Sequence, residues 1–283
     1  MASISVIVNV IKRITNLKIM ESISLVYYSP TRTTQKICRE VAKGLDVPII
    51  DEINIAEDIN GSNIQIEKNC LTLIGLPVYG GRLPINTIES LKKLKSDHSP
   101  AIIVVVYGNR DYDDALLELK EIIEECGFVI VAGAAFIGEH SYSTHERPIA
   151  MNRPDNQDLE KCKDFAVKVN EKLMKGPDIL SLPEPSIPGN HPYKERKQLS
   201  ATVYPKTDQA LCTLCGTCVD VCPVGAISIE QSVVTNGELC TVCCACVKQC
   251  SEQARRLEDT TIDTIREKLF LNCSSRKEPS YFL

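Results

Sequence analysis

From residue 22 to residue 175 the chain alternates short apolar runs with amphipathic stretches. The runs SISLVYY (22–28), VPIIDEI (47–53), CLTLIG (70–75), AIIVVVYG (101–108) and FVIVAGAAFIG (128–138) read as strands. Helical patterns cover 33–44, 84–95, 112–126 and 155–175. Several strands are apolar on both faces, as in a parallel sheet covered by helices on both sides. Such alternation predicts right-handed crossovers and an α/β fold with a doubly wound, five-stranded parallel sheet of order 2-1-3-4-5.

The pattern changes after residue 175. GPDILSLPEPSIPGNHPY (176–193) carries five prolines in eighteen residues, so it neither continues a helix nor enters a sheet interior. It reads as a semi-stiff linker, 176–205. A cysteine-rich segment, 206–258, and a helix with a polar tail, 259–283, follow. Residues 20–175 form the first domain. Residues 1–19 read as an extension outside the fold or an upstream start: their apolar run is short, and Lys12 and Arg13 follow it, the reverse of a signal peptide.

Composition narrows the function classes. The 283 residues are 43% hydrophobic, enough for a real core, and the net charge of −5 argues against non-specific nucleic-acid binding. No segment approaches the ~18 apolar residues of a membrane span. Of the fourteen cysteines, nine lie between Cys212 and Cys250. Cys38, Cys70, Cys126, Cys162 and Cys273 are scattered singly; the first four read as small buried hydrophobes. This distribution suits thiolate ligands in a reducing, cytoplasmic compartment better than a disulfide framework.

Cys212-x2-Cys215-x2-Cys218-x3-Cys222 recurs, spacing for spacing, as Cys240-x2-Cys243-x2-Cys246-x3-Cys250, and Ala226 recurs at the same offset as Ala254. The segment is an internal duplication. It resembles the bacterial-type two-cluster ferredoxins, small α+β domains in which the fourth cysteine of each run ligates the other cluster. The resemblance implies one [4Fe–4S] cluster on Cys212, Cys215, Cys218 and Cys250, and a second on Cys240, Cys243, Cys246 and Cys222. Paired structural zinc sites are the competing reading, which the doubled four-cysteine run disfavours. Ser251 stands where the pattern has proline, and Cys244 is a ninth thiol, read as packed beside the cluster.

Three loops of the first domain carry the other candidate chemistry. YYSPTRTTQKI (27–37) follows the first strand and opens a helix; Ser29, Thr31, Thr33, Thr34 and the helix start make a phosphate site, with a hydroxyl-rich cap as the bland alternative. GLPVYGGRLP (75–84) and VYGNRDYDDA (106–115) follow strands three and four. In a 2-1-3-4-5 sheet these loops surround the switch point where FMN binds in flavodoxin-like folds. Pro77, Val78, Gly80 and Gly81 allow close backbone approach to a flat ring. Tyr79 can stack on it, Tyr107 or Tyr112 can line its other face, and Asn109 with the backbone around Gly108 can meet its edge.

SPTRTT resembles the flavodoxin phosphate loop, with Ser29, Thr31 and Thr34 on matching hydroxyl positions and Arg32 where flavodoxins carry glycine. From 22 to 258 the arrangement resembles the flavodoxin–ferredoxin fusion proteins of anaerobes, the EFR-type ferredoxins. The polar stretch 138–155, with His140, Tyr142, His145, Arg147 and Arg153, lies at the same sheet edge; it can contact the flavin, shape a pocket, dock the cysteine segment or form a plain surface loop, and His140 reads as structural. The Glu-rich LLELKEIIEEC (116–126) reads as a solvated helix face.

Together these features predict an electron-transfer protein that exchanges electrons with a redox protein partner through two [4Fe–4S] clusters and FMN, with no catalytic triad or acid–base pair. The alternatives are a cluster-fed flavin reductase with an open pocket over Tyr79, and a metal-stabilised interaction module. Docking of the two halves within one chain or across a homodimer is left open.

Overall fold

The computed structural model describes residue 20, residues 22–56, 63–67 and 70–283; the predicted extension 1–19 lies outside the described residues. The first half is built on parallel strands β1 (Ser22–Tyr27), β2 (Ile49–Asn54), β3 (Cys70–Pro77), β4 (Pro100–Tyr107) and β5 (Val129–Ile137). β3 and β4 are buried almost end to end, which accounts for their unbroken apolar runs.

Helices cover both faces. α1 (Thr33–Leu45) buries Ile37, Cys38, Val41 and Leu45 on one face of the sheet. α4 (Asn156–Leu173) packs beside it through Cys162, Phe165, Ala166 and Val169, at the 3–4-residue spacing of a helix stripe. A capping box between Asp155 and Asp158 fixes the start of α4. The two helices approach closely at Gly44, where a side-chain Cβ would stand 2.7 Å from that of Ala166. On the other face lie α2 (Ile88–Leu91) and α3 (Ala115–Glu125), the latter burying Leu116, Leu119, Ile122 and Ile123.

The pattern at 84–95 predicts one helix; the structure has a 3-10 turn, Ile85–Thr87, running into α2 and then an extended pair, Leu94–Lys95, bonded parallel to Ile64–Gln65. Leu94 reaches the core in extended backbone, so burial overrides helix periodicity.

The sheet has six strands, not five. The C-terminal segment returns as β10 (Ser280–Phe282), antiparallel to β5, giving the order β10-β5-β4-β3-β1-β2. Tyr281 explains the return: its ring packs on Phe136 and Phe165 with centroids 5.8 and 5.1 Å away. Arg276 fastens the approach to β10 by pairing with Asp155 and Asp158.

The proline-rich segment is a strap, not a spacer. Asn190 and Lys194 bond Asp114, His191 and Tyr193 bond Glu121, and Lys172 donates to the Pro183 carbonyl. The Glu-rich helix face beneath it is therefore not solvated as the sequence suggests. Glu118 is 4% exposed and holds Arg82, Arg196 and the backbone N–H of Leu83.

The cysteine segment contains β6 (Lys206–Thr207), α5 (Thr217–Asp220), β7 (Ile227–Ile229), β8 (Val233–Thr235), α6 (Ala245–Lys248) and β9 (Arg255–Arg256), followed by α7 (Thr260–Asn272). Its duplication is visible in the backbone. Left-handed conformations recur at equivalent positions of the two repeats: Leu214 and Val242, Gly216 and Cys244, and Gly225 and Gln253. Ile227 pairs with Thr235 across β7–β8, and the equivalent residues Arg255 and Thr207 pair across β9–β6.

Candidate functional site

Each short helix of the cysteine segment starts from a left-handed N-cap, Gly216 or Cys244, which turns the chain so that three cysteines and a following backbone stretch face inward. Two cavities result. One is lined by Cys212, Cys215, Cys218 and Cys250. The other is lined by Cys222, Cys240, Cys243 and Cys246, with Cys244 at its wall. Each cavity thus takes three thiols from one repeat and the fourth from the other.

This donor set fits cubane clusters. Among the described residues no three His, Cys, Asp or Glu side chains converge where one ion would sit. Four thiols line each cavity, and thiolates are the ligands that iron–sulfur clusters take. Backbone donors face sulfur, as where the Ala226 N–H reaches Cys222 Sγ at 3.2 Å. Buried Arg255 points the same way: its Nε has no partner among the described residues, and the residue lines the first cavity. Cys244 packs with Val203, Val242, Leu257 and Ile262.

The equivalent thiols Cys215 and Cys243 sit in opposite surroundings. Cys215 is exposed, and the Thr217 hydroxyl lowers its pKa. Burial pushes Cys243 up to about 12. What buries the second cavity is the C-terminal edge of the parallel sheet. Burial raises Tyr28, Tyr79 and Tyr142; at Tyr28 and Tyr79 the charge of Cys243 is the next contributor, and at Tyr142 that of Cys244.

The stretch 138–155 docks the cysteine segment. Lys248 pairs with Glu139 and donates to the Ser143 carbonyl, Arg266 donates to the Tyr142 carbonyl, and Arg147 pairs with Glu267. His140 is structural here. Its Nδ1 accepts the Tyr142 N–H at 3.0 Å, and burial, then Lys248, Arg110 and Arg266, depress its pKa to about 4. Its ring fills the space beside Gly108, where a Cβ would stand 2.3 Å from it. Arg153 is buried in an ion pair with Asp158.

The phosphate loop folds as a helix start. Ser29 Oγ accepts the Gln35 N–H at 3.0 Å, Thr31 and Thr33 hydroxyls lie 3.3 Å apart, and Thr34 is buried. Among the described residues the N–H groups of Thr33 and Thr34 take no backbone partner, so the helix end presents free donors. Arg32 has φ 62° and an exposed side chain. The left-handed backbone explains why glycine suits this position, and arginine holds it at a cost of about 1 kcal/mol. Gln249 of the second repeat donates to the Pro30 carbonyl, bringing loop and cavity together.

The other two loops divide. Pro77 ends β3, Val78 follows it, and Tyr79, Gly80, Gly81 and Arg82 form a tight turn closed by the Tyr79–Arg82 bridge. Gly81 is required there: its φ is +93° and a Cβ would strike Asp113. The fourth-strand loop departs from the sequence expectation. The Asn109 Nδ2 is committed to the C-terminal segment, donating to the carbonyls of Cys273 and Ser275 at 2.5 and 2.8 Å, while its buried Oδ1 has no partner among the described residues. Tyr107 and Tyr112 pack on each other, centroids 5.5 Å apart, in place of lining an open slot. The residues present therefore fit a phosphate group at the first loop and an aromatic contact at Tyr79, while the third loop is held by the C-terminal segment. That segment gave no signal in the sequence beyond its polarity.

Comparison with known proteins adds the following. A 4Fe-4S binding domain model matches residues 205–228, the first repeat. No curated protein matches the chain. Solved structures similar to it include a flavodoxin from the domain Archaea (14% identity, 54% of this chain and 98% of that one, TM-score 0.38). Flavodoxin 1 from Bacillus cereus is similar at 16% identity over 53% of this chain and 97% of that one, TM-score 0.39. An NADH:FMN oxidoreductase in its apo form is similar at 12% identity over 56% and 94%, TM-score 0.39. Among the described residues no helix is long and apolar enough to cross a membrane. The chain joins a segment that matches a 4Fe-4S binding domain model to an α/β half with a mostly parallel sheet.

Proposed function

We propose that this protein is an electron carrier holding two [4Fe–4S] clusters and FMN on one chain. One observation carries the reading: eight cysteines divide into two crossed sets of four around two cavities, and the second cavity is pressed against tyrosines at the switch-point edge of the sheet. Cys212, Cys215, Cys218 and Cys250 hold one cluster, and Cys222, Cys240, Cys243 and Cys246 hold the other. Each cluster supplies reversible one-electron storage, and the flavin supplies exchange between single electrons and pairs.

The chain's own residues position and shield. The Thr33 and Thr34 N–H groups with the Ser29 and Thr31 hydroxyls receive the phosphate, and Tyr79 offers an aromatic face to the ring. Tyr28, Tyr79 and Tyr142 exclude water between the second cavity and the flavin loops. The first cavity lies nearer the surface, lined by Leu214 at 44% exposure beside exposed Cys215. A redox protein partner exchanges electrons there, in a cytoplasm that keeps thiols reduced. The carrier reading is favoured over a small-molecule reductase because Tyr79, which a substrate would have to approach, borders Cys243.

The test is iron, zinc and released-flavin analysis with an absorbance spectrum on anaerobically purified protein. About eight irons and one FMN per chain, bleaching on reduction, is the expected result. Zinc in place of iron overturns it. Iron without flavin leaves a ferredoxin and removes FMN; Arg32→Gly then asks whether that side chain is the cause.

A further inference from the structure

The geometry points to Arg255 as a fixed, buried cation shared by the two cluster cavities, which raises the reduction potentials of both clusters together. The inference rests on the two-cluster reading but uses a separate observation, a break in the internal duplication. The first repeat has Ile227 where the second has Arg255. Ile227 lines the second cavity and Arg255 lines the first. Ile227 is what an apolar core position requires. An arginine only 3% exposed at the matching place needs a reason.

The surroundings of Arg255 follow the repeat. Nη1 donates to Thr207 Oγ1 at 2.6 Å, and Nη2 donates to Thr235 Oγ1 at 3.0 Å. Thr207 and Thr235 are offset as Cys212 is from Cys240, so they are the same position in the two repeats. Nη2 also lies 3.7 Å from Cys246 Sγ. Cys246 and Cys218 are again equivalent, and the positive charge of Arg255 acts on both. The guanidinium is therefore clamped between the repeats, with one thiolate of each cavity beside it. Two such arginines would repel, which accounts for isoleucine at the other copy.

No carboxylate among the described residues bonds this guanidinium; its bonded partners are two neutral hydroxyls and a thiol, and Nε has none. A buried cation without a counter-ion carries a large desolvation cost. Two anionic, thiolate-ligated clusters are the counter-charge that offsets it. Adding an electron to either cluster increases its negative charge. A nearby cation in a poorly polarisable interior stabilises the reduced form more than the oxidised form. Arginine keeps its charge at any working pH, and its planar fork matches the two threonines.

The experiment compares Arg255→Gln and Arg255→Lys with the unaltered full chain, using iron analysis and an EPR-monitored redox titration. Gln retains hydrogen-bonding capacity without charge; Lys retains the charge without the fork. The unaltered chain should hold about eight irons; if it does not, the two-cluster reading fails before Arg255 is at issue. With that iron present, Arg255→Gln should lower both midpoint potentials and Arg255→Lys should leave them near the original values. Equal behaviour of the two variants, whether unchanged potentials or the same loss of iron, assigns Arg255 a purely structural role and overturns the inference. A shift at one cluster alone overturns the sharing. If Gln loses iron and Lys keeps it at unchanged potentials, charge is required for loading and the inference stands.

Discussion

The two halves of the cysteine segment share a backbone and differ in what surrounds them. Cysteine spacing, left-handed turns and strand register all repeat at one constant offset. Yet Cys215 is exposed with its pKa lowered, and its counterpart Cys243 is half-buried, with desolvation raising its pKa to about 12. Local sequence sets the ligand geometry, and the neighbours set how each site is used. One cavity lies towards solvent, where the proposed partner would dock. The other lies against the α/β half, where the next stage of transfer is proposed.

The largest test of this contrast removes a ligand from each side. Cys215→Ala and Cys243→Ala should each reduce iron from about eight to about four per chain. Only Cys243→Ala should slow electron passage between the remaining cluster and the flavin, measured by stopped-flow reduction. If both changes slowed it alike, the inner and outer assignment would be wrong.

Acid probes the docking face next. His140 is held neutral in the fold, with a pKa of about 4 against 6.5 unperturbed. The unfolded chain therefore binds more protons between those values. Stability is fully present above pH 6.5 and falls as pH drops towards 4, by on the order of 3 kcal/mol. Denaturant melts across this range should show the decline, and His140→Gln should flatten it.

A smaller effect is expected at the flavin. Tyr79→Ala should weaken FMN retention about tenfold while leaving iron content unchanged, as read by flavin release and iron analysis. Loss of iron with flavin retained would reverse the assignment of the two halves. Smallest of all is Lys248→Ala, which removes a part-exposed ion pair with Glu139 and should lower melting stability by about 0.5 kcal/mol.

Legibility in the sequence followed the range of the interactions. The grouping of the cysteines around two cavities was legible in part because spacing within each run brings three of every four together. The central strands β3, β4 and β5 could be read because burial on both faces leaves unbroken apolar runs. The C-terminal strand could not: EPSYFL has three apolar-capable residues and gains its place from Phe136 and Phe165, which lie far earlier in the chain. Glu118 looked solvated for the same reason, since its partners Arg82 and Arg196 come from a distant loop and the strap.

The sequence by itself determined the alternating α/β half, the duplicated cysteine runs and the candidate phosphate loop, because each follows from residues a few positions apart. Only the tertiary structure decided that Asn109 holds the C-terminal segment, that the second cavity meets Tyr28, Tyr79 and Tyr142, and that Arg255 spans the repeats. Those outcomes depend on which surfaces lose water against each other, and burial between distant segments leaves no periodic trace in either one.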